Sequence, residues 1–140
     1  MQQKTVLLLI FIILPIFLYG CAKRDDRIVI ADHLQQAQTT QQQIMDHWDR
    51  LMQGQPVNCQ QGLPIVAYLD RQQISEPAVV LDHLNQGIAL LNESAHIWDE
   101  ICANENIIIP NVLISRGYQA AYSAQIELET AEAGLNVWKP

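Results

Sequence analysis

Residues 81–102 read LDHLNQGIALLNESAHIWDEIC and indicate how the chain folds. Apolar side chains return every three or four residues along this stretch, which is the spacing of one face of an α-helix that packs against other helices. The stripe consists of Leu81, Leu84, Ile88, Leu91, Ala95, Trp98 and Cys102. Ser75 is a suitable N-cap, and Pro77 suits the first turn of the predicted helix.

A second stripe lies nearer the amino terminus and predicts another long helix. It consists of Ile30, Leu34, Ala37, Gln41, Ile44, Trp48 and Leu51. Gly54 and Pro56 follow it, as a capping glycine and a later proline follow many helices. Its one polar member is Gln41.

The third stripe predicts a long helix that begins near Pro110 or Asn111 and ends near Asn136. It consists of Leu113, Gly117, Ala120, Ala124, Leu128, Ala131, Leu135 and Trp138. Several of these residues are small, so we expect a neighbouring helix to approach closely. Between the first two long helices, LPIVAYLDRQQ (residues 63–73) predicts one short helix, with Pro64 in its first turn. The predicted fold class is therefore all-α, a small bundle of three long helices and one short helix.

The amino terminus is typical of an export signal. Residues 6–19, VLLLIFIILPIFLY, are apolar throughout, and Lys4 is the only charged residue before Lys23. A membrane-spanning helix needs about 20 apolar residues. The run of 14 is too short for that and suits the apolar region of a secretory signal.

The end of this segment, Leu18-Tyr19-Gly20-Cys21, resembles the lipobox of bacterial lipoproteins. The lipobox has a leucine, a tolerant position, a small residue and an obligatory cysteine, although Tyr19 is less usual than Ala or Ser. The resemblance implies cleavage after Gly20 and lipidation of Cys21, and it covers the N-terminal segment alone. The alternative is an uncleaved anchor with an unmodified cysteine.

The lipobox also implies a division of the chain and a location. Residues 1–20 would be the signal peptide, 21–27 a short charged tether and 28–140 the helical domain. The protein would be anchored in the bacterial cell envelope. Because Ala22 rather than Asp follows the cysteine, the outer membrane is permitted in a diderm, whereas a monoderm would hold it on the outer face of the plasma membrane.

Charge excludes one class of partner. The chain has 15 acidic residues and 8 Lys or Arg, for a net charge of −7. Three of the bases, Lys23, Arg24 and Arg27, lie beside Cys21, where anionic headgroups would attract them. Nucleic acid is therefore not an expected partner, because its binding needs clustered Lys and Arg. The expected partners are the membrane and another envelope protein.

Cys59 and Cys102 remain once Cys21 is assigned to the anchor. Export would place them in an oxidising compartment, where we expect them to form a disulfide; the alternative is two separate thiols. A disulfide needs Cα atoms within about 7 Å. Both cysteines lie at the carboxyl ends of predicted helices, so the first two long helices would run parallel. Residues 60–76 would then return along the bundle, which gives an up-down-up-down order.

A 50-residue offset aligns Asp32-His33-Leu34 with Asp82-His83-Leu84, and Trp48-Asp49 with Trp98-Asp99. One interpretation is a duplicated helical hairpin. The other is chance similarity between helices of like composition.

The sequence holds no catalytic motif, so we do not expect an enzyme. Glu93 and His96 have the Glu-x-x-His spacing of di-iron bundles, but such a site needs two of these motifs, and we predict no metal site and no cofactor. Histidines beside a helix stripe are more often solvent-edge residues at a helix interface than metal or haem ligands. Tryptophans within a stripe are more often core residues than parts of a ligand site.

Two hypotheses about function remain. The first is a non-enzymatic, lipid-anchored module that binds or scaffolds another envelope component. The alternative is a helical-bundle sensor or carrier of haem, a metal or a cationic molecule. The residues predicted to surround such a ligand are Trp48, Trp98, His33 and His47.

Overall fold

The computed structural model describes residues 25–56, 58–72, 74, 77–103 and 109–138. It contains three long helices, α1 (Asp26–Met52), α2 (Ala78–Ala103) and α3 (Asn111–Val137), and no strand in the described part of the chain. The all-α bundle is confirmed. Residues 1–24, which include the lipobox and Cys21, lie outside the described residues, and α1 already begins within the predicted tether.

The helix ends follow from local chemistry. The carboxylate of Asp25 accepts a hydrogen bond from the backbone N–H of Arg27 and caps α1. At the other end Gly54 has φ +73°, the left-handed conformation that glycine adopts most readily. The N–H groups of Gly54 and Gln55 donate to the carbonyls of Leu51 and Arg50, which completes a Schellman motif. The predicted stop of the first helix is therefore confirmed.

The starts of α2 and α3 both involve proline. The carbonyl of Pro77 accepts from Leu81, and the carbonyl of Pro110 accepts from Leu113. Both prolines precede the first helical residue, so their missing N–H groups leave no hydrogen bond unmade. Ser75, the predicted cap of the second helix, lies outside the described residues.

The three helices have the predicted directions. Cys59 and Cys102 form a disulfide with a Cα–Cα distance of 5.3 Å, which places the carboxyl ends of α1 and α2 at the same end of the bundle. These two helices run parallel. α3 returns antiparallel to them: Ser94 of α2 contacts Gly117, and Gln38 of α1 contacts Glu132. The most extensive helix–helix contact joins α2 to α3, and the least extensive joins α1 to α2.

The predicted short helix over residues 63–73 is wrong. Residues 63–72 are non-helical, and residues 63–69, which we call the strap, run antiparallel to α2 in an extended conformation. Every third residue of the strap is buried, namely Leu63, Val66 and Leu69. The chain between α1 and α2 has to return along the length of the bundle. An extended conformation suits this because an extended chain covers about twice the distance per residue of a helix. The strap thereby takes the position that a fourth helix would have.

The core lies between the three helices and the strap. The predicted stripes supply most of it, and Leu63, Val66 and Leu69 of the strap contribute as well. Four stripe residues at the ends are only partly buried, namely Leu51, Cys102, Leu113 and Trp138. Its largest fully buried side chains are Trp48 and Trp98. No helix in the described part of the chain has both the length and the apolar composition needed to cross a membrane.

The proposed duplication does not extend to the hairpins. In the 50-residue register the strap corresponds to the start of α3, yet the strap is extended and α3 is helical. The match is therefore limited to α1 and α2, whose equivalent tryptophans, Trp48 and Trp98, meet in the core.

Candidate functional site

Two tryptophans meet where α1 and α2 approach the disulfide. The rings of Trp48 and Trp98 have centroids 5.2 Å apart at an angle of 88°, an edge-to-face contact. Such pairs contribute about 0.5–1.5 kcal/mol beyond the area they bury. The structure brings these two residues of the predicted pocket together, and their burial makes them core residues.

Trp48 is held by a hydrogen bond and by close packing against α3. Its Nε1–H donates to the hydroxyl of Ser94 at 2.8 Å, and that hydroxyl donates to the carbonyl of Gly117 at 2.9 Å. The ring lies against Gly117 so closely that a Cβ atom there would be 2.2 Å from it. The small residues of α3 therefore admit an aromatic ring from α1, in addition to the close helix approach that the sequence predicted.

His47 contacts the other tryptophan. Its ring meets that of Trp98 edge-on, with centroids 5.5 Å apart. Nδ1 of His47 lies 2.7 Å from the carbonyl of Gln43, one turn earlier in α1. Since a carbonyl only accepts, Nδ1 carries the proton of this bond, and Nε2 is an acceptor whenever the ring is neutral.

A cavity of about 200 Å³ lies beside His47 and Trp98, under the loop that leads from α1 to the disulfide. We call it the tryptophan pocket. Its lining consists of His47, Arg50, Leu51, Gln55, Pro56, Asn58, Gln61 and Trp98. The buried Nε1–H of Trp98 has no hydrogen-bond partner among the residues that the structure describes.

His33, the fourth residue predicted for the ligand pocket, lies elsewhere. It is 14 residues before His47 on α1, a separation of about 21 Å along the helix axis at 1.5 Å per residue. Its Nε2 lies 3.0 Å from the carbonyl of Ala67 in the strap. The structure therefore does not bring His33 together with the tryptophans, and its contact is with the strap.

Among the described residues, no group of three or more His, Cys, Asp or Glu could hold a metal ion. Glu93, half of the Glu-x-x-His spacing, instead pairs with Arg116 at 2.7 Å. A separate histidine, His83, lies 2.6 Å from Glu127 across the α2–α3 interface.

The Glu93–Arg116 pair forms part of an open groove on the surface. This groove, of about 460 Å³, lies between α2 and the strap, and Tyr68 and Ile97 also contribute to it. Tyr68 and its neighbour Ile65 are more than half exposed. The groove therefore combines an ion pair with apolar surface at the edge of the strap.

Two asparagines that the sequence analysis did not single out hold the strap. The side-chain amide of Asn92 accepts from the N–H of Val66 at 3.0 Å and donates to its carbonyl at 2.9 Å. Asn85 makes the same pair of bonds to Leu69. Seven helical residues rise about 10.5 Å, and three extended residues span about 9–10 Å, so the two spacings match.

A signal for these asparagines is present in the sequence. Asn is disfavoured inside helices because its side chain competes for backbone hydrogen bonds. Two Asn residues seven apart on one face of an apolar helix therefore indicate an external backbone partner.

Comparisons with protein-family models, with curated proteins and with solved structures found no match. The function is therefore argued from the residues and their geometry.

Proposed function

We propose that this protein is a lipid-anchored component of the bacterial cell envelope whose helical domain is a non-enzymatic binding or scaffolding module. The observation that carries the proposal is the Cys59–Cys102 disulfide. It accounts for two of the three cysteines, and disulfides persist mainly in exported proteins. Cys21 is then left at the lipobox-like junction as the acyl acceptor.

The anchor follows from simple energetics. Each buried CH₂ group contributes about 0.8 kcal/mol, so one acyl chain binds a membrane only marginally and two or three bind it durably. Lys23 and Arg24 would lie at the headgroups, where each basic residue adds about 1 kcal/mol beside anionic lipids. The expected location is the outer membrane of a diderm or the outer face of the plasma membrane of a monoderm.

The groove beside the strap supports a protein partner. Tyr68 lines the groove together with the Glu93–Arg116 pair, and both Tyr68 and Ile65 of the strap expose more than half of their surface. Aromatic residues next to charged groups are typical of protein interfaces. The strap that carries them is fixed by Asn85 and Asn92, so the surface is preorganised.

The anchor is tested by Cys21→Ser in cells supplied with a labelled fatty acid. We expect the label to be lost and the unprocessed precursor to accumulate, because both acylation and cleavage depend on this thiol. The Cys59→Ser/Cys102→Ser double variant is the matched control, and it should retain the label. Label retained by Cys21→Ser would refute the lipid anchor.

The scaffolding role is tested by photo-crosslinking in the native envelope. A photoreactive phenylalanine analogue replaces Tyr68 in the groove, or Tyr122 on the exposed face of α3 as the control. We expect one reproducible adduct from position 68 and none from position 122. The same pattern of weak adducts from both positions would argue against a specific partner.

The second candidate function is that of a small-ligand carrier, and the tryptophan pocket favours it. Haem and metal are tested by absorbance and metal analysis of the purified protein. A colourless, metal-free preparation would remove these two ligand classes from the hypothesis.

A further inference from the structure

The end of the bundle at which α1 begins exposes an apolar side chain on each of the three helices. These side chains are Ile28 of α1, Val79 of α2 and Val137 of α3, and each exposes more than half of its surface. Trp138 follows at the end of α3 and is partly buried against the core. We call this region the anchor end and define it as residues 25–28, 77–79 and 137–138.

Contacts deeper in the bundle place α1 and α3 at the same height here. The ring of Trp48 in α1 packs directly on Gly117 in α3. Ile28 lies 20 residues before Trp48, and Val137 lies 20 residues after Gly117. At 1.5 Å per residue, Ile28 and Val137 are therefore both about 30 Å along the helix axes from that contact.

α2 reaches nearly the same height. A methyl group of Val80 packs against Gly134 of α3 so closely that a Cβ atom there would be 2.8 Å from it. Val79 is one residue nearer the anchor end than Val80, and Val137 is three residues beyond Gly134. The heights of Val79 and Val137 therefore differ by about 3 Å.

Charge separates the anchor end from the rest of the chain. Residues 21–28, 76–79 and 137–140, which form this end or adjoin it in sequence, contain four Lys or Arg and three Asp or Glu. Residues 29–75 and 80–136 contain three Lys or Arg and 12 Asp or Glu. An anionic surface would therefore repel the greater part of the domain but not the anchor end.

The opposite end of the bundle shows that apolar exposure alone is not the distinction. Met52 at the end of α1 and Val112 at the start of α3 are also more than half exposed. That end is acidic, however, because the last two turns of α1 and α2 contain one base, Arg50, and four acids. The acids are Asp46, Asp49, Asp99 and Glu100.

The sequence before α1 connects the anchor end to the membrane. Asp25, which caps α1, is only four residues after Cys21. Four fully extended residues span about 14 Å at most. Acylation of Cys21 would therefore hold the anchor end close to the headgroups, whereas the 27 residues of α1 carry the opposite end about 40 Å away.

We propose that the anchor end is a membrane-docking surface, which enters the headgroup region of an anionic bilayer and holds the bundle upright. The inference rests on the proposed lipid anchor, which brings this end to the membrane. Ile28, Val79 and Val137 enter the boundary between headgroups and acyl chains, which interfacial protein segments reach to a depth of about 5–10 Å. Trp138 lies at the headgroup level, where tryptophan is enriched.

The test uses tryptophan fluorescence of the full chain, purified with its anchor and reconstituted into vesicles of phosphatidylethanolamine and phosphatidylglycerol. A lipid brominated near the headgroup end of its acyl chains quenches nearby tryptophans. Trp48 and Trp98 lie in the core towards the disulfide, so we expect quenching of Trp138 alone. The Trp138→Phe variant assigns the signal, and in it quenching should fall at least fivefold.

Val79→Asp and Val112→Asp are matched variants at the two ends. Each replaces the second residue of a helix, where the helix dipole favours a negative charge, and the two valines are 68% and 70% exposed. We expect Val79→Asp to reduce the quenching of Trp138 at least threefold and Val112→Asp to leave it unchanged. In vesicles of phosphatidylcholine alone, quenching in the unaltered protein should be at least twofold weaker, because no anionic surface repels the acidic part of the domain.

Absence of quenching at Trp138, unchanged quenching in Val79→Asp or an equal loss in both variants would overturn the proposal. Equal quenching in the two kinds of vesicle would overturn the role assigned to charge. A dimer in detergent micelles that Val79→Asp dissociates, without quenching in vesicles, would assign the anchor end to a second copy of the chain. Failure of the lipid anchor is detected separately by the fatty-acid labelling of Cys21→Ser, which does not depend on how the bundle is oriented.

Discussion

α3 and the strap lie against the same pair of helices and run in the same direction, yet they are held by different forces. α3 satisfies its own backbone hydrogen bonds and presents small and apolar side chains such as Ala124 and Leu128. The strap has no ladder of its own, and the side chains of Asn85 and Asn92 satisfy its backbone at Val66 and Leu69. A helix thus needs only a matching surface, whereas an extended segment needs specific polar partners on another element.

The largest effect is expected from the bridge at the start of the strap. The Cys59→Ser/Cys102→Ser variant should lower the free energy of unfolding by about 4 kcal/mol, because the bridge closes a loop with a sequence separation of 43. Urea denaturation measures this. Amide exchange should accelerate more in the strap than in α3. Equal acceleration in both regions would mean that the strap and α3 depend on the bridge alike.

On the α3 side, Gly117→Ala should cost about 2–3 kcal/mol, because the added methyl group overlaps the ring of Trp48 and forces it from its bond to Ser94. Thermal and urea denaturation measure the loss. Gly134→Ala is the control. Its methyl group would meet only one methyl group of Val80, and alanine gains about 1 kcal/mol over glycine in a helix. A neutral Gly117→Ala would show that the tryptophan can move freely.

On the strap side, Asn92→Ala should cost about 2–3 kcal/mol, because it leaves the N–H and carbonyl of Val66 without their partners in a buried site. Asn85→Ala should cost about 1–2 kcal/mol, since Asn85 is only partly buried. The exposed neighbour Gln86→Ala is the matched control and should be neutral. A result in which Asn85 and Asn92 were both neutral would show that apolar burial alone holds the strap.

The comparison also explains how much of the fold the sequence predicts. The stripe of α2 and the small residues of α3 define helices of more than 25 residues, long enough for the periodicity to be unambiguous. The strap is short, and its buried residues Leu63, Val66 and Leu69 recur every three positions. That spacing fits one turn of helix or three residues of extended chain equally well.

The distance between the end of α1 and the start of α2 could have decided between a short helix and an extended chain for the strap. A parallel α1 and α2 require residues 60–76 to return about 40 Å along a 27-residue helix, and a short helix within them leaves little length to spare. An extended strap covers the distance easily.

The candidate site shows the same limit. Trp48 and Trp98 follow from their stripes, and so does their meeting in the core. His47, Arg50 and Leu51 of the tryptophan pocket lie on the predicted first helix. Its other residues belong to a loop with no periodic pattern, and sequence alone does not place them, namely Gln55, Pro56, Asn58 and Gln61. His33 was misplaced because a shared helix does not imply a shared site over 14 residues.

The smallest effect is expected from the hydrogen bond between His33 of α1 and the strap. His33→Ala removes the contact with the carbonyl of Ala67, which lies near the surface, and should cost no more than about 1 kcal/mol. His96→Ala, an exposed histidine of α2, is the control and should be neutral. Amide exchange across residues 65–69 should rise in His33→Ala and stay unchanged in His96→Ala. A loss as large as that of Asn92→Ala would mean that α1 and α2 hold the strap equally, and the asparagines would no longer be its main support.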